Sequence, residues 1–308
     1  MNKGFLVAID LGGTNLKIAL LDAGCRIKDR RVLETESFSR KEELISAIVM
    51  SVNKIIEGNS LSKGSVIGIG VGLPGPVDVE KGLVQFLPNI PGWKQVRLRA
   101  ALHSRIKLPV FIDNDANLAA LAEHRLGAAR GAKNAICITL GTGVGGGLIL
   151  DGRLYRGSNF AAGEFGHMPI NVYGPRCNCG GAACLEAYIG NKKIERQAKA
   201  VFGRRITLEE LSSLANKNNR RAVKVWDSVG TRLGIALAGV VNLLNPDIIV
   251  VGGGVAGAGK VLFDKVKETI KSRAMHVQSG HVSVVKAKLG SDAGLYGAAI
   301  LAKEGIVS

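Results

Sequence analysis

Hydrophobic positions recur in two rhythms along this chain. Short apolar runs bounded by Gly, Pro, Asp or Asn alternate with longer stretches in which apolar residues return every three or four places. The short runs predict strands over 4–10, 16–21, 66–71, 109–112, 248–251 and 282–287, with a further strand over 27–34. Helical spacing predicts a helix over 40–57, where Leu44, Ile45, Ile48, Val49, Val52, Ile55 and Ile56 share one face. It predicts others over 118–126, 185–201, 208–215, 221–244, from about 260, and over 292–303. Strands interleaved with helices give an α/β fold.

Several strands end in stretches that suit a ligand. Asp10-Leu-Gly-Gly-Thr14 joins the first two strands, and Gly12, Gly13 and Thr14 offer close backbone approach, N–H groups and a hydroxyl to a phosphate. Gly72-Leu-Pro-Gly-Pro-Val-Asp78 and Leu87-Pro-Asn-Ile-Pro-Gly-Trp93 are rigid Pro/Gly loops, the first of them at a strand end, where open α/β sheets bind ligands. Asp113-Asn-Asp-Ala-Asn117 stands between a strand and a helix. A helix cap requires one such residue, and four polar residues in five exceed that need. A carboxylate there, with an amide on each side, suits proton abstraction from a hydroxyl. Gly252-Gly-Gly-Val-Ala-Gly-Ala-Gly259 again runs from strand to helix, although no acidic residue stands where a dinucleotide fold requires one.

The first hairpin has an internal echo. Residues 7–22 align without gaps onto 136–151 at an offset of 129, with five of 16 positions identical. Both read strand, glycine turn, strand, which predicts a duplicated domain whose two turns hold successive phosphates of one nucleotide.

Composition narrows the class. The chain has 308 residues, 46% hydrophobic and 21% charged. Its longest apolar run, near 233–244, falls short of a membrane span. The apolar run Gly4–Ile9 is too short, and too soon ended by Asp10, for a signal peptide. The formal charge is +16, but Lys and Arg are dispersed and only 5% of residues are aromatic, so a stacking surface for nucleic acid is not expected. A basic surface that draws in an anionic substrate fits better.

The most concentrated chemistry lies in residues 163–186. One imidazole, His167, and three thiols, Cys177, Cys179 and Cys184, form the ligand set of a closed tetrahedral zinc site. With four protein ligands the metal braces a loop and activates no water. Glu164 and Glu186 flank it without being needed to complete it. Cys25 and Cys137 fall in apolar strand patterns. Such cysteine usage predicts a reducing, cytoplasmic setting.

Jointly these motifs resemble the ROK family, bacterial sugar kinases and their repressor relatives, and within it the glucokinases. Five stretches carry the resemblance: Asp10–Thr14, Gly72–Pro76, Asn114–Asn117, Leu140–Gly147, and Glu164-Phe-Gly-His167 with the cysteine segment ending at Glu186. It implies a duplicated actin-like, ribonuclease H-like ATPase fold of two lobes with a central cleft. The lobes would be 1–117, with a closing helix at 292–308 packed back on it, and 118–291 carrying the zinc loop. The resemblance assigns Asp115 as general base. It places Asn114, Glu164, His167 and Glu186 on sugar hydroxyls, with Asn89 and Gly75 nearby in the substrate site, and His167 using one ring nitrogen for zinc and the other for sugar. Gly12, Gly13, Thr14, Gly141 and Thr142 would hold phosphates, Asp10 would place Mg2+, and Gly253 and Gly254 would lie against the adenosine. ATP and a hexose are the implied partners, in a homodimer.

Glucose is the first choice of sugar, with N-acetylmannosamine, N-acetylglucosamine, mannose and fructose as alternatives. A sugar-responsive ROK regulator is the non-enzymatic alternative; it would carry a DNA-binding domain ahead of the first glycine turn, for which nine residues are too few. One departure stands out. Ala183 occupies the place before the last cysteine where the family usually has glycine, and a positive φ there would cost alanine roughly 1 kcal/mol.

Overall fold

Two five-stranded sheets with the same strand order organise the protein, one in each of two units. The computed structural model describes residues 4–35, 38, 40–87 and 92–307. The first unit holds β1 (Phe5–Leu11), β2 (Asn15–Leu21), β3 (Ile27–Glu34), α1 (Lys41–Gly58) and β4 (Val66–Leu73). It continues through β5 (Val77–Asp78), β6 (Leu83–Phe86), β7 (Lys94–Val96), α2 (Leu98–Ile106), β8 (Val110–Asn114) and the start of α3 (Asp115–Arg125). The second unit holds β9 (Ala135–Leu140), β10 (Val144–Leu150), β11 (Arg153–Tyr155), α4 (Glu186–Ile189), α5 (Asn191–Phe202) and α6 (Leu208–Asn216). Then come α7 (Arg220–Leu244), β12 (Ile248–Gly252), α8 (Lys260–Arg273), α9 (His276–His281) and β13 (Ser283–Lys286), and the chain returns to the first unit as α10 (Ala293–Val307).

The first sheet runs β3-β2-β1-β4-β8 and the second β11-β10-β9-β12-β13. In both, an antiparallel meander of three strands is extended by two parallel strands. This is the duplicated actin-like, ribonuclease H-like ATPase fold. The echo at offset 129 is its trace, but pairing corrects the alignment. Leu11 pairs with Leu16, whereas Leu140 pairs with Val144, so the second turn is one residue shorter and its second strand is offset by 128.

Core residues follow the apolar pattern. α1 seats Leu44, Ile45, Ile48, Val52, Ile55 and Ile56 in a cluster with Val7, Ile9, Leu16 and Ile18 of the sheet. Each such buried Leu or Ile contributes about 1.5–3 kcal/mol over leaving it in water. The glycines interrupting β4 have a packing cause. A Cβ on Gly70 would run into the backbone of Ala298, and one on Gly297 would lie 2.8 Å from Leu118 Cα, so α10 presses directly on β4 and α3. In the second unit, Gly230 and Gly234 let α8 lie close to α7: their Cβ atoms would meet Lys265 Cβ at 2.8 Å and Thr269 Cβ at 2.5 Å. Among the described residues α7 is the one helix long and apolar enough to cross a membrane by length and composition, and half of that stretch is buried.

The units divide after Ala122, inside α3, where sequence placed a boundary at 117/118. Residues 156–162 also belong to the first unit. The reason is electrostatic: the Arg156 side chain pairs with buried Asp113 at 2.7 Å. The helix expected over 185–201 is broken at Gly190, which is extended (φ −63, ψ 150) between α4 and α5. Cys25 lies in the turn between β2 and β3 with φ of 60, buried but outside any strand.

Candidate active site and metal centre

In the first unit, the ends of β1 and β8, which flank β4 in the sheet, carry the chemistry. β1 delivers Asp10 and the turn Gly12–Thr14, which is tied to Thr35: its hydroxyl donates to Gly12 O at 3.0 Å and its N–H to Thr14 O at 2.8 Å. Gly13 and Thr14 are exposed. Desolvation holds the Asp10 carboxyl above the ordinary 3.8, with Lys17 acting against it and Asp292 with it. Gly294, in the first turn of α10, lies so close that a Cβ there would stand 2.6 Å from the carboxylate. A carboxylate short of compensating charge is a fitting ligand for Mg2+.

The raised value fixes a sign. Folded Asp10 binds its proton more tightly than in the unfolded chain, so it costs stability above the unfolded value, fully so once the pH exceeds the folded one. Asp10→Asn is therefore expected to raise the urea midpoint of the nucleotide-free protein at neutral pH. The gain should disappear as the pH falls below about 3.8, the unfolded carboxyl value. A variant less stable than the parent at neutral pH would contradict this account of Asp10.

At the end of β8 the polar cluster divides its labour. Asp113 is 1% exposed; its Oδ2 takes the Arg156 guanidinium, and its Oδ1 accepts from Asn114 N at 2.7 Å and Asn117 Nδ2 at 3.0 Å. Asp113 is therefore a structural carboxylate, and stripping it of Arg156 would leave a buried charge at a cost of about 3–5 kcal/mol. Asn114 is the cap of α3, its Oδ1 accepting from Ala116 N (2.9 Å) and Asn117 N (3.2 Å), while its Nδ2 donates to Gly75 O at 3.1 Å. Gly75 has φ of +89, the conformation that turns its carbonyl there. Asp115 is the first residue of α3, half-buried, and accepts from Ala116 N at 2.8 Å. Asn114 thus supplies the cap of α3, and Arg156 braces Asp113.

In the second unit the turn Gly141–Gly143 joins β9 to β10. Its glycine run serves two purposes. Thr142 is exposed in the turn, but Gly145–Gly147 lie within β10, where a Cβ on Gly146 would collide with the Phe165 ring. That seat holds Phe165–His167 and, with it, Glu164. Gly253 has φ of +82 and rests on the backbone of Leu140, so the end of β12 lies beside the same turn. A cavity of about 480 Å3 opens between Gly254, Gly257 and α6, lined by Glu209, Ser212, Ser213, Asn216 and Lys217. None of these residues of α6 and its C-terminal cap stood out in the sequence, because a run of Ser, Asn, Lys and Glu at helical spacing reads as solvated surface. A larger cavity of about 930 Å3, among Lys81, Arg97, Arg99 and His103, shares no residue with either group. Two of its charges serve the three-stranded sheet β5-β6-β7: Arg99 donates to the Val79 and Glu80 carbonyls, and Lys81 pairs with Asp78.

His167, Cys177, Cys179 and Cys184 converge, their ligand atoms all within 4.8 Å of one another. Cys177 Sγ to His167 Nδ1 and Cys179 Sγ to Cys184 Sγ are both 3.7 Å. A tetrahedral ion with Zn–S bonds of about 2.3 Å spaces its ligands by about 3.7 Å, so the four residues fit zinc. Nδ1 faces the thiols, while Nε2 lies 3.7 Å from Glu164 Oε2. Cys137 is a different case: burial within β9 pushes its thiol far up, so it stays a protonated core residue. Ala183 has φ of +57, the strain its position predicted, and is 1% exposed. Its buried methyl offsets part of that strain. Asn89 lies outside the described residues.

The sequence pattern of the ROK family matches residues 6–305, and the chain belongs to that family. It is 36% identical to a glucokinase of Halalkalibacterium halodurans, over 99% of this chain and 96% of that protein. Among solved structures, a ROK family glucokinase from Streptomyces griseus in complex with glucose and AMPPNP superposes with a TM-score of 0.83 at 33% identity, covering 98% of this chain and all of that one. A ROK family transcriptional regulator, a homologue of the E. coli MLC protein, superposes with a TM-score of 0.91 at 27% identity, over 99% of this chain and 78% of the regulator.

Proposed function

We propose that the protein is an ATP-dependent sugar kinase that transfers the γ-phosphoryl group of ATP to the 6-hydroxyl of a hexose, with glucose the preferred acceptor. The observation that carries this reading is the division of labour at the start of α3. Asn114 caps the helix and Arg156 holds buried Asp113, while Asp115 is the half-buried carboxylate at the helix start. Asp115 takes the proton of the sugar hydroxyl as its oxygen bonds to the γ-phosphorus and the bond to the β-γ bridging oxygen breaks, leaving ADP. Asn114, Gly75, Asn89, Glu164, His167 and Glu186 orient the sugar. Gly12–Thr14 and Gly141–Thr142 donate to phosphates, and Gly253 and Gly254 border the adenosine, for which the cavity against α6 offers polar walls.

Asp10 would hold Mg2+, which neutralises charge on the phosphates, and the Cys3His cluster would hold a structural zinc. The glucokinase relatives support glucose. A homodimer in the cytoplasm belongs to the same reading. The fold is shared with regulators and does not separate the two roles; Asp115 and both glycine turns favour catalysis.

Coupled ADP release with MgATP over glucose, mannose, fructose, N-acetylglucosamine and N-acetylmannosamine tests the acceptor. Glucose is expected to show the highest kcat/KM, and a higher value for any other sugar would reassign it.

A further inference from the structure

The turn Gly141–Gly143 is held residue by residue from one segment, the start of α4 through the start of α5. Glu186 Oε2 accepts from Val144 N, the first N–H after the turn, at 2.9 Å. Gly143 is glycine because that carboxylate fills its side: a Cβ there would stand 2.5 Å from Glu186 Oε2. Gly190 leaves room for the Thr142 carbonyl, which a Cβ would approach to 2.9 Å, and Asn191 N donates to Gly141 O at 2.9 Å. This wrapping is also why the predicted helix breaks at Gly190. The same segment begins two residues after Cys184. Ala187 N donates to Cys184 O at 3.0 Å and Leu185 N to Met168 O at 3.0 Å, tying α4 to both strands of the metal-bearing loop.

We infer that Glu186 is a positioning residue for the nucleotide: one carboxylate oxygen holds the phosphate turn in shape, so the metal-braced loop supports ATP binding as well as sugar binding. This rests on the kinase reading and deepens it. A carboxylate placed for sugar alone would not need Oε2 on a backbone N–H, nor a glycine opposite it. The N–H belongs to Val144, which is 4% exposed, and a buried donor deprived of its acceptor reshapes its surroundings.

The test is MgADP binding by calorimetry to zinc-loaded protein without sugar, for the parent, Glu186→Gln, Glu186→Ala and Gly143→Ala. Gln keeps an acceptor oxygen and is expected to bind nucleotide within about twofold of the parent, while its sugar KM rises. Ala at 186 removes the acceptor, and Ala at 143 displaces it; each is expected to weaken MgADP by about tenfold or more at unchanged zinc content. Gly143→Ala keeps the question open to test should Glu186→Ala fail to fold. Equal affinity in the parent and both Ala variants would overturn this inference and leave the kinase intact. A parent that binds no nucleotide would overturn both.

Discussion

Replacing Asp115 by Asn is expected to lower kcat by about 10²–10⁴-fold while leaving sugar and nucleotide affinity within a few-fold of the parent. The effect follows from chemistry more than from packing. Asn keeps the size of the side chain and can still accept from Ala116 N, so the start of α3 survives. It cannot take a proton from an attacking hydroxyl. The contrast is Asp113, three residues' worth of hydrogen bonding away in character: buried, doubly bonded to Arg156, and committed on its other oxygen to Asn114 and Asn117. Asp113→Asn should lower stability and reduce activity through disorder of the site, with a larger fall in Tm than Asp115→Asn. Pre-steady-state kinetics and thermal unfolding of the two variants side by side separate the roles.

Loss of the metal is the second large effect. Cys184→Ser, or chelation of the parent, is expected to abolish zinc content and lower Tm by roughly 10 °C, the shift set by a ligand held about a thousandfold above its Kd. Sugar KM should rise with it, because His167 belongs to the proposed zinc cluster and its Nε2 lies beside Glu164. Metal analysis, thermal unfolding and sugar titration read all three. Protein stripped of zinc that keeps its Tm and its sugar KM would exclude the bracing role.

Much of this was legible in the chain. Strand ends rich in Asp, Asn and Gly stand out against apolar runs, and the Cys3His spacing is compact enough to close on one ion without knowledge of the fold. The duplication also shows, because strand and turn residues are constrained at both copies. What stayed hidden depends on tertiary packing. Pairing alone reveals that the second turn is one residue shorter. β5–β7 are two to four residues long, too short for a period to appear. Which carboxylate near the start of α3 is structural is decided by Arg156, 43 residues away in sequence. The break between α4 and α5 belongs to the turn it wraps; Gly190 is a weak helix former, but one glycine inside a helical pattern does not by itself mark a break.

The most direct test of the central claim is phosphorus NMR of glucose and MgATP incubated with the parent and with Asp115→Asn, both shown beforehand to contain zinc and to bind glucose. The account predicts a sugar phosphomonoester appearing in step with ADP for the parent, and almost none for the variant over the same interval. Glucose bound by a zinc-loaded parent with no phosphomonoester formed from it or from the other sugars would contradict the kinase assignment and point to a sugar-sensing protein.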